Sequence, residues 1–233
     1  MAEPAIIAEN LTKKYRLGES IVHALNGVSL EIDSGEFLSI VGPSGSGKTT
    51  LLNLLGALDL PTSGRVVLGD VDLTQVPERK LYQVRRNKVG FVFQHFYLIP
   101  TLTTIDNVLV PVIPIKNNNR FKNRARELLS IVGLEERTNH RPNQLSGGEQ
   151  QRVAICRALI NKPEVLFCDE ITGELDSTTG EKMIGLLKEI NRSEGVTVAF
   201  VTHDPTVSSK SNRIITLKDG KITSDKSVKA KGK

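Results

Sequence analysis

Apolar residues along this chain follow two patterns in succession, then mix them. Short apolar or alternating runs at 6–11, 28–32 and 37–41 are separated by turn signals at Gly18, Gly27 and Ser34-Gly35, and predict β-strands. A glycine-rich stretch follows, and then helical spacing over 49–58. Further strands are predicted at 65–68 and 89–93. From about 103 to 160 the spacing becomes mainly helical, most clearly at 124–132 and 149–160. Strand and helix then alternate: strands at 165–168, 197–201 and 213–217, with an amphipathic helix at 178–192. Strands that alternate with helices imply a mostly parallel sheet covered on both faces. The helical middle reads as a lobe inserted into that sheet, behind an N-terminal β region.

Composition changes this picture little. The chain has 233 residues, 39% hydrophobic and 24% charged, ordinary for one large α/β domain with a core of its own. The net charge of +5 hints at a nucleic acid or an anionic surface, but Lys226, Lys229, Lys231 and Lys233 supply four of those charges within the last eight residues. A near-neutral body is a weak case for a nucleic-acid groove, and no nucleic-acid partner is expected. The tail itself reads as solvated, or as leaning on anionic lipid. Cys156 and Cys168 have neither metal-type spacing nor a disulfide framework, which fits a reducing cytoplasm. The N-terminus predicts no secretory leader, and no window reaches the apolar length of a membrane span. The nearest, 108–115, is short and broken by Pro111 and Pro114.

Three motifs carry chemistry. Gly42-Pro43-Ser44-Gly45-Ser46-Gly47-Lys48-Thr49, followed by Thr50, fits the phosphate-loop pattern and lies between a predicted strand and a predicted helix. Its glycines let successive N–H groups turn toward phosphate oxygens, and the helix adds its positive end. Lys48 would pair with the β- and γ-phosphates, and the Thr49 hydroxyl would ligate Mg2+. The predicted ligand is a nucleoside triphosphate. Asp169-Glu170 ends the apolar run at 165–168, so a buried strand would deliver two carboxylates to the sheet's carboxyl edge, where ligands of open α/β sheets sit. Alone, such a pair reads as a helix cap or a turn. Beside a phosphate loop, Asp169 suits Mg2+, through water, and Glu170 suits polarising the attacking water. Third, Leu145-Ser146-Gly147-Gly148-Glu149-Gln150 opens a helix, as a plain N-cap or as a second anion site.

LSGGEQ resembles the signature of the ABC ATPases, and other marks of that family stand in order from about residue 6 to 222. Tyr15 resembles the aromatic that stacks on adenine. Gln94 is similar to the glutamine that contacts Mg2+ and senses the partner, Asp176 to the D-loop aspartate, and His203 to the switch histidine. The resemblance implies one nucleotide-binding domain over 1–224, with a RecA-like P-loop core at 1–94 and 161–224, a helical lobe at 95–160, and a basic tail at 225–233. It implies an ATPase that forms a head-to-tail homodimer. Ser146, Gly147, Gly148, Glu149 and Asp176 would act in trans on ATP held by the other copy, so that hydrolysis waits for closure. Three positions depart from the family's usual residues: Ile171 replaces a proline, Glu174 a small or amide residue, and Cys168 a small apolar one.

The stretches 91–100 and 170–176 resemble the lipoprotein-release and macrolide-export branch, whose ATPases work peripherally at the cytoplasmic face with a separate transmembrane permease. The apolar residues 96–99 read either as a dock for that permease or as part of the lobe's core. Three functions stay open at this point: an export or mechanotransmission ATPase, a cell-division regulator that transports nothing, and a soluble ATPase acting on DNA or ribosomes. Only one copy of each motif occurs, and 49–146 is too short for a long coiled-coil arm, which disfavours the third.

Overall fold

The computed structural model describes residues 4–115, 119–173 and 175–228. In chain order, β1 (Pro4–Leu17), β2 (Ser20–Asp33) and β3 (Phe37–Val41) lead through the glycine-rich loop to α1 (Lys48–Leu55). Next come β4 (Ser63–Leu68), β5 (Val71–Asp72), α2 (Leu81–Lys88) and β6 (Val89–Val92). Helices α3 (Thr104–Leu109), α4 (Asn119–Ile131) and α5 (Gly147–Leu159) separate β6 from β7 (Val165–Asp169). The chain then runs through α6 (Ser177–Glu194), β8 (Thr197–Val201), the single turn α7 (Pro205–Ser208), β9 (Arg213–Lys218) and β10 (Lys221–Ser227).

Two sheets result. The first, ordered β2-β1-β4-β5, is antiparallel throughout. The second is ordered β10-β9-β3-β8-β7-β6, with β9, β3, β8, β7 and β6 parallel and β10 antiparallel at one edge. β7 is buried on both faces, as a parallel strand between helical layers must be. Val165 and Phe167 join the core shared with the first sheet and α1, while Leu166 and Cys168 join the core built by α3 to α6.

Strand length is where the structure exceeds the sequence pattern. β1 and β2 form a hairpin of 14 residues on each side, far longer than the apolar runs, because its outer half is exposed and carries no alternation. Gly27 lies inside β2 rather than ending it. β5 and β10 leave no apolar signature. β10 is polar and mostly exposed, held by its ladder to β9 and by the Arg213–Asp225 ion pair. It runs through Ser227, so Lys226 pairs with Ile214 where a tail was expected from 225. Lys229, Lys231 and Lys233 lie outside the described residues. Among the described residues no helix is long and apolar enough to cross a membrane.

The signature helix α5 packs directly on β6. A Cβ added at Gly90 would lie 2.7 Å from the Ala158 carbonyl oxygen and 2.9 Å from Leu166 Cδ1, so only glycine lets strand and helix approach this closely. Gly90→Ala should therefore overpack the contact and cost about 1–3 kcal/mol. In a domain of this size that lowers the thermal midpoint by about 2–4 °C per kcal/mol. A melting curve followed by circular dichroism checks it, and an unchanged midpoint would mean that α5 yields without strain.

Candidate functional site

The glycine-rich loop joins the end of β3 to the start of α1. Gly47, just before the helix, has φ 100°, and a Cβ there would meet the Ala24 carbonyl at 2.4 Å, so the curl is open only to glycine. Lys48 is buried, and its Nζ donates to the carbonyl oxygens of Gly42 and Pro43 at 2.9 Å each. Its charge is thus folded over the loop whose N–H groups lead into α1. The Ser46 hydroxyl is buried without a protein partner, an unusual state for a polar group. Pro43, Ser44, Gly45 and Thr49 are exposed around it.

Parallel pairing sets the acids against this loop. β3 and β7 flank β8, with Ile40 and Asp169 both registered on Val201. Thr49 Oγ1 donates to Asp169 Oδ1 at 3.2 Å. Burial, reinforced by the charge of Glu170, raises the Asp169 carboxyl above its ordinary pKa, against the pull of Thr49 and Lys48. Glu170 has φ 47°, a left-handed conformation that costs a non-glycine residue about 1–3 kcal/mol. The surrounding turn holds it there: Glu170 N donates to Val201 O, Gly173 N to Glu170 O, and Ile171 is buried. Ile171 therefore anchors by packing the turn where the resemblance leads one to expect a proline. Glu170 Oε1 lies 3.6 Å from His203 Nδ1, and His203 is otherwise exposed. Gln94, after β6, rests on the same turn, since a Cβ at Gly173 would lie 3.3 Å from its Nε2. Lys48, Thr49, Asp169, Glu170, His203 and Gln94 thus converge.

A second group forms around the start of α5. Ser146 is its N-cap, accepting from Glu149 N at 3.3 Å, while its own hydroxyl and backbone N–H both donate to Glu149 Oε2 at 2.8 Å. These donors, the Ser146 amide first, hold the Glu149 carboxyl below its usual pKa, with Arg137 and Arg152 assisting. Asp176 caps α6 through Thr179 N, and a Cβ added at Gly148 would lie 3.1 Å from Thr179 Cγ2. A groove of about 560 Å³ is lined by Ser146, Gly147, Gly148, Leu175, Asp176 and Thr179 among others. Glu174 lies outside the described residues.

Tyr15 is half-buried on β1, with its hydroxyl donating to Asp59 Oδ2 at 2.8 Å. Sequence reasoning did not find Asp59 or its partner Lys13, because neither belongs to a motif. The stretch 96–99 divides between its two readings: Leu98 packs on the core and Phe96 is half-buried, whereas Tyr97 and Ile99 are exposed. Arg157 of α5 donates to the Phe96 and Tyr97 carbonyls and fixes this loop to the signature helix.

A profile of the ABC transporter family matches residues 25–173, more than half of the chain. The chain is 49% identical over 226 residues to the ABC transporter ATP-binding protein MJ0796 of Methanocaldococcus jannaschii, with 95% of this chain and 96% of that one covered. It is 46% identical over 217 residues to the macrolide export ATP-binding/permease protein MacB of Chlorobaculum tepidum, which covers 93% of this chain but 33% of that protein. Against relatives of that second kind the chain therefore spans about a third of the length. Among solved structures, MJ0796 as a dimer in a post-hydrolysis state bound to ADP and Pi superposes with a TM-score of 0.87 at 46% identity, covering 97% of this chain and 99% of that one. The fold, the converging loop and acids, and these likenesses agree: this chain belongs to the ABC transporter family and is one of its ATPases.

Proposed function

We propose that two copies of this chain close head to tail on ATP and drive a membrane permease of the export or mechanotransmission kind, working peripherally at its cytoplasmic face. The observation that carries the ATPase chemistry is the meeting of Glu170, in its left-handed conformation, with His203 at the edge where Asp169 reaches Thr49. An oxygen-only pair such as Thr49 and Asp169 suits Mg2+, with phosphate and water completing its shell. When bound there, Mg2+ would neutralise charge on the β- and γ-phosphates.

The chain's own residues supply the remaining parts. Lys48 exchanges the Gly42 and Pro43 carbonyls for phosphate oxygens, and the amides from Gly42 to Thr50 cradle them. Glu170 accepts a hydrogen bond from the attacking water, and His203 steadies the γ-phosphate side. Gln94 links this centre to the loop fixed by Arg157, which bears the exposed Tyr97 and Ile99, the dock favoured for the permease. Ser146 and Gly148 bind the γ-phosphate held by the other copy, with Gly147, Glu149 and Asp176 in the same trans-acting site. To donate there, the Ser146 hydroxyl must first leave Glu149. The dimeric ADP-bound MJ0796 structure supports the pairing, and the macrolide-export relatives support the branch.

Glu170→Gln should keep ATP binding and slow hydrolysis by roughly 10²–10⁴. Phosphate release and equilibrium binding check it together, and full activity would remove Glu170 from the role. In that background, Ser146→Ala should leave ATP binding to the single copy intact while weakening the ATP-dependent dimer by about 10–100-fold, the loss of one hydrogen bond to a charged group. Analytical ultracentrifugation with and without ATP reads this, and undiminished dimer would place Ser146 outside the interface. Purified from gently solubilised native membranes, the chain should bring a permease with few spans and a large outer domain. Recovery with ribosomes or DNA proteins alone would keep the ATPase and overturn the transporter.

A further inference from the structure

The residues around Tyr15 form a cluster that the phosphate chemistry does not use. β1 packs on α1, the helix that follows the phosphate loop, and the Tyr15 hydroxyl donates to Asp59 Oδ2 at 2.8 Å. Asp59 lies in the loop after that helix, and its backbone N–H donates to Asn53 O. Its second oxygen, Oδ1, accepts from Lys13 Nζ at 2.6 Å and from the Leu60 amide at 2.7 Å. Lys13 Nζ also donates to the Leu60 carbonyl at 2.7 Å, and lies over the Tyr15 ring, 5.0 Å from its centroid. Burial alone would raise the Asp59 carboxyl, yet Lys13, Tyr15 and the Leu60 amide hold it below its ordinary value, so it stays an acceptor for all three.

We propose that Asp59, clamped by Lys13, is a positioning residue that fixes the plane of the Tyr15 ring for the nucleotide base. This rests on the reading of Tyr15 as the stacking platform. Tyr15 sits half-buried on the long hairpin, where an untethered ring would still turn about its side-chain torsions. Tethering the phenol at its far end removes that freedom before the base arrives, and a preorganised partner binds more tightly because less is ordered on binding. The ammonium over one face leaves the other for the base. Since Asp59 follows α1 and its backbone N–H is bonded to Asn53 O of that helix, ring and phosphate loop share one support. The spacing between base and phosphate sites is thereby set by the protein itself.

The test is isothermal titration of MgATP and of magnesium tripolyphosphate, which has no base, against the intact chain and five variants. Tyr15→Ala should weaken ATP binding by about 10-fold or more, within the range for loss of a base–aromatic stack. Tyr15→Phe and Asp59→Ala should each weaken it by about 3–5-fold, and the double variant by no more than either, as expected for a shared interaction. Asp59→Asn, which keeps an oxygen to accept from Tyr15, should recover much of the loss. Tripolyphosphate should bind all variants equally. If Tyr15→Ala leaves ATP binding unchanged, the stacking reading fails and this inference with it. If Tyr15→Ala weakens binding but Tyr15→Phe and Asp59→Ala match the native chain, stacking stands and positioning fails. Parallel loss of tripolyphosphate binding would show a general structural defect and also overturn the role.

Discussion

The phosphate loop, the acid pair and His203 meet because of the register of three parallel strands. β3, β8 and β7 lie side by side with Ile40, Val201 and Asp169 aligned, so the segments leaving their carboxyl ends emerge together. From β3 comes the loop that ends at Lys48 and Thr49, from β7 the pair Asp169 and Glu170, and from β8 the turn that bears His203. Because side chains alternate with a period of two, a slip of one residue in β7 would turn Asp169 away from Thr49 and exchange the residues on its two buried faces. The apolar cores above and below the sheet therefore hold the chemistry in place through alignment rather than through contact with the acids themselves.

Charge is handled differently at each station. Lys48 is buried but satisfied by two carbonyls, while Asp169 is partly desolvated beside a second carboxylate. Lys48 has the loop carbonyls and Asp169 the Thr49 hydroxyl as local partners, which an incoming phosphate chain would exchange for its own oxygens and counter-charge. At the signature, Glu149 plays a similar role for Ser146, holding its hydroxyl by a capping box and offsetting part of the unpaired N-terminal amides of α5. Lys48 and Ser146 are thus held by groups that a ligand would displace, while the buried Ser46 hydroxyl has no protein partner.

Much of this was legible in the sequence because the information is contiguous. The run from Gly42 to Thr49, the pair Asp169-Glu170 and the stretch from Leu145 to Gln150 each state their local geometry within a few residues, and the alternation of strands and helices after 165 states the parallel sheet. The long hairpin was not legible, since its outer strands expose both faces and owe their form to cross-strand pairing. β10 escaped for the same reason, because a polar edge strand has no apolar period. The left-handed turn at Glu170 was hidden because the bond to Val201, the turn closed by Gly173 and the burial of Ile171 impose it on a residue type that does not signal it. Asp59 was hidden by distance, for 44 residues separate it from Tyr15.

The close seating of α5 on Gly90 also bears on how the two ends of the site move. β6 carries Gln94 just beyond its carboxyl end, and its middle bears on the backbone of the helix whose first residues are the signature. The same helix grips the loop after Gln94 through Arg157. Strand, loop and helix are thus tied to one another at three points. A push on the exposed Tyr97 and Ile99 would reach Gln94 and the signature together, as a lever moves both its arms about one pivot.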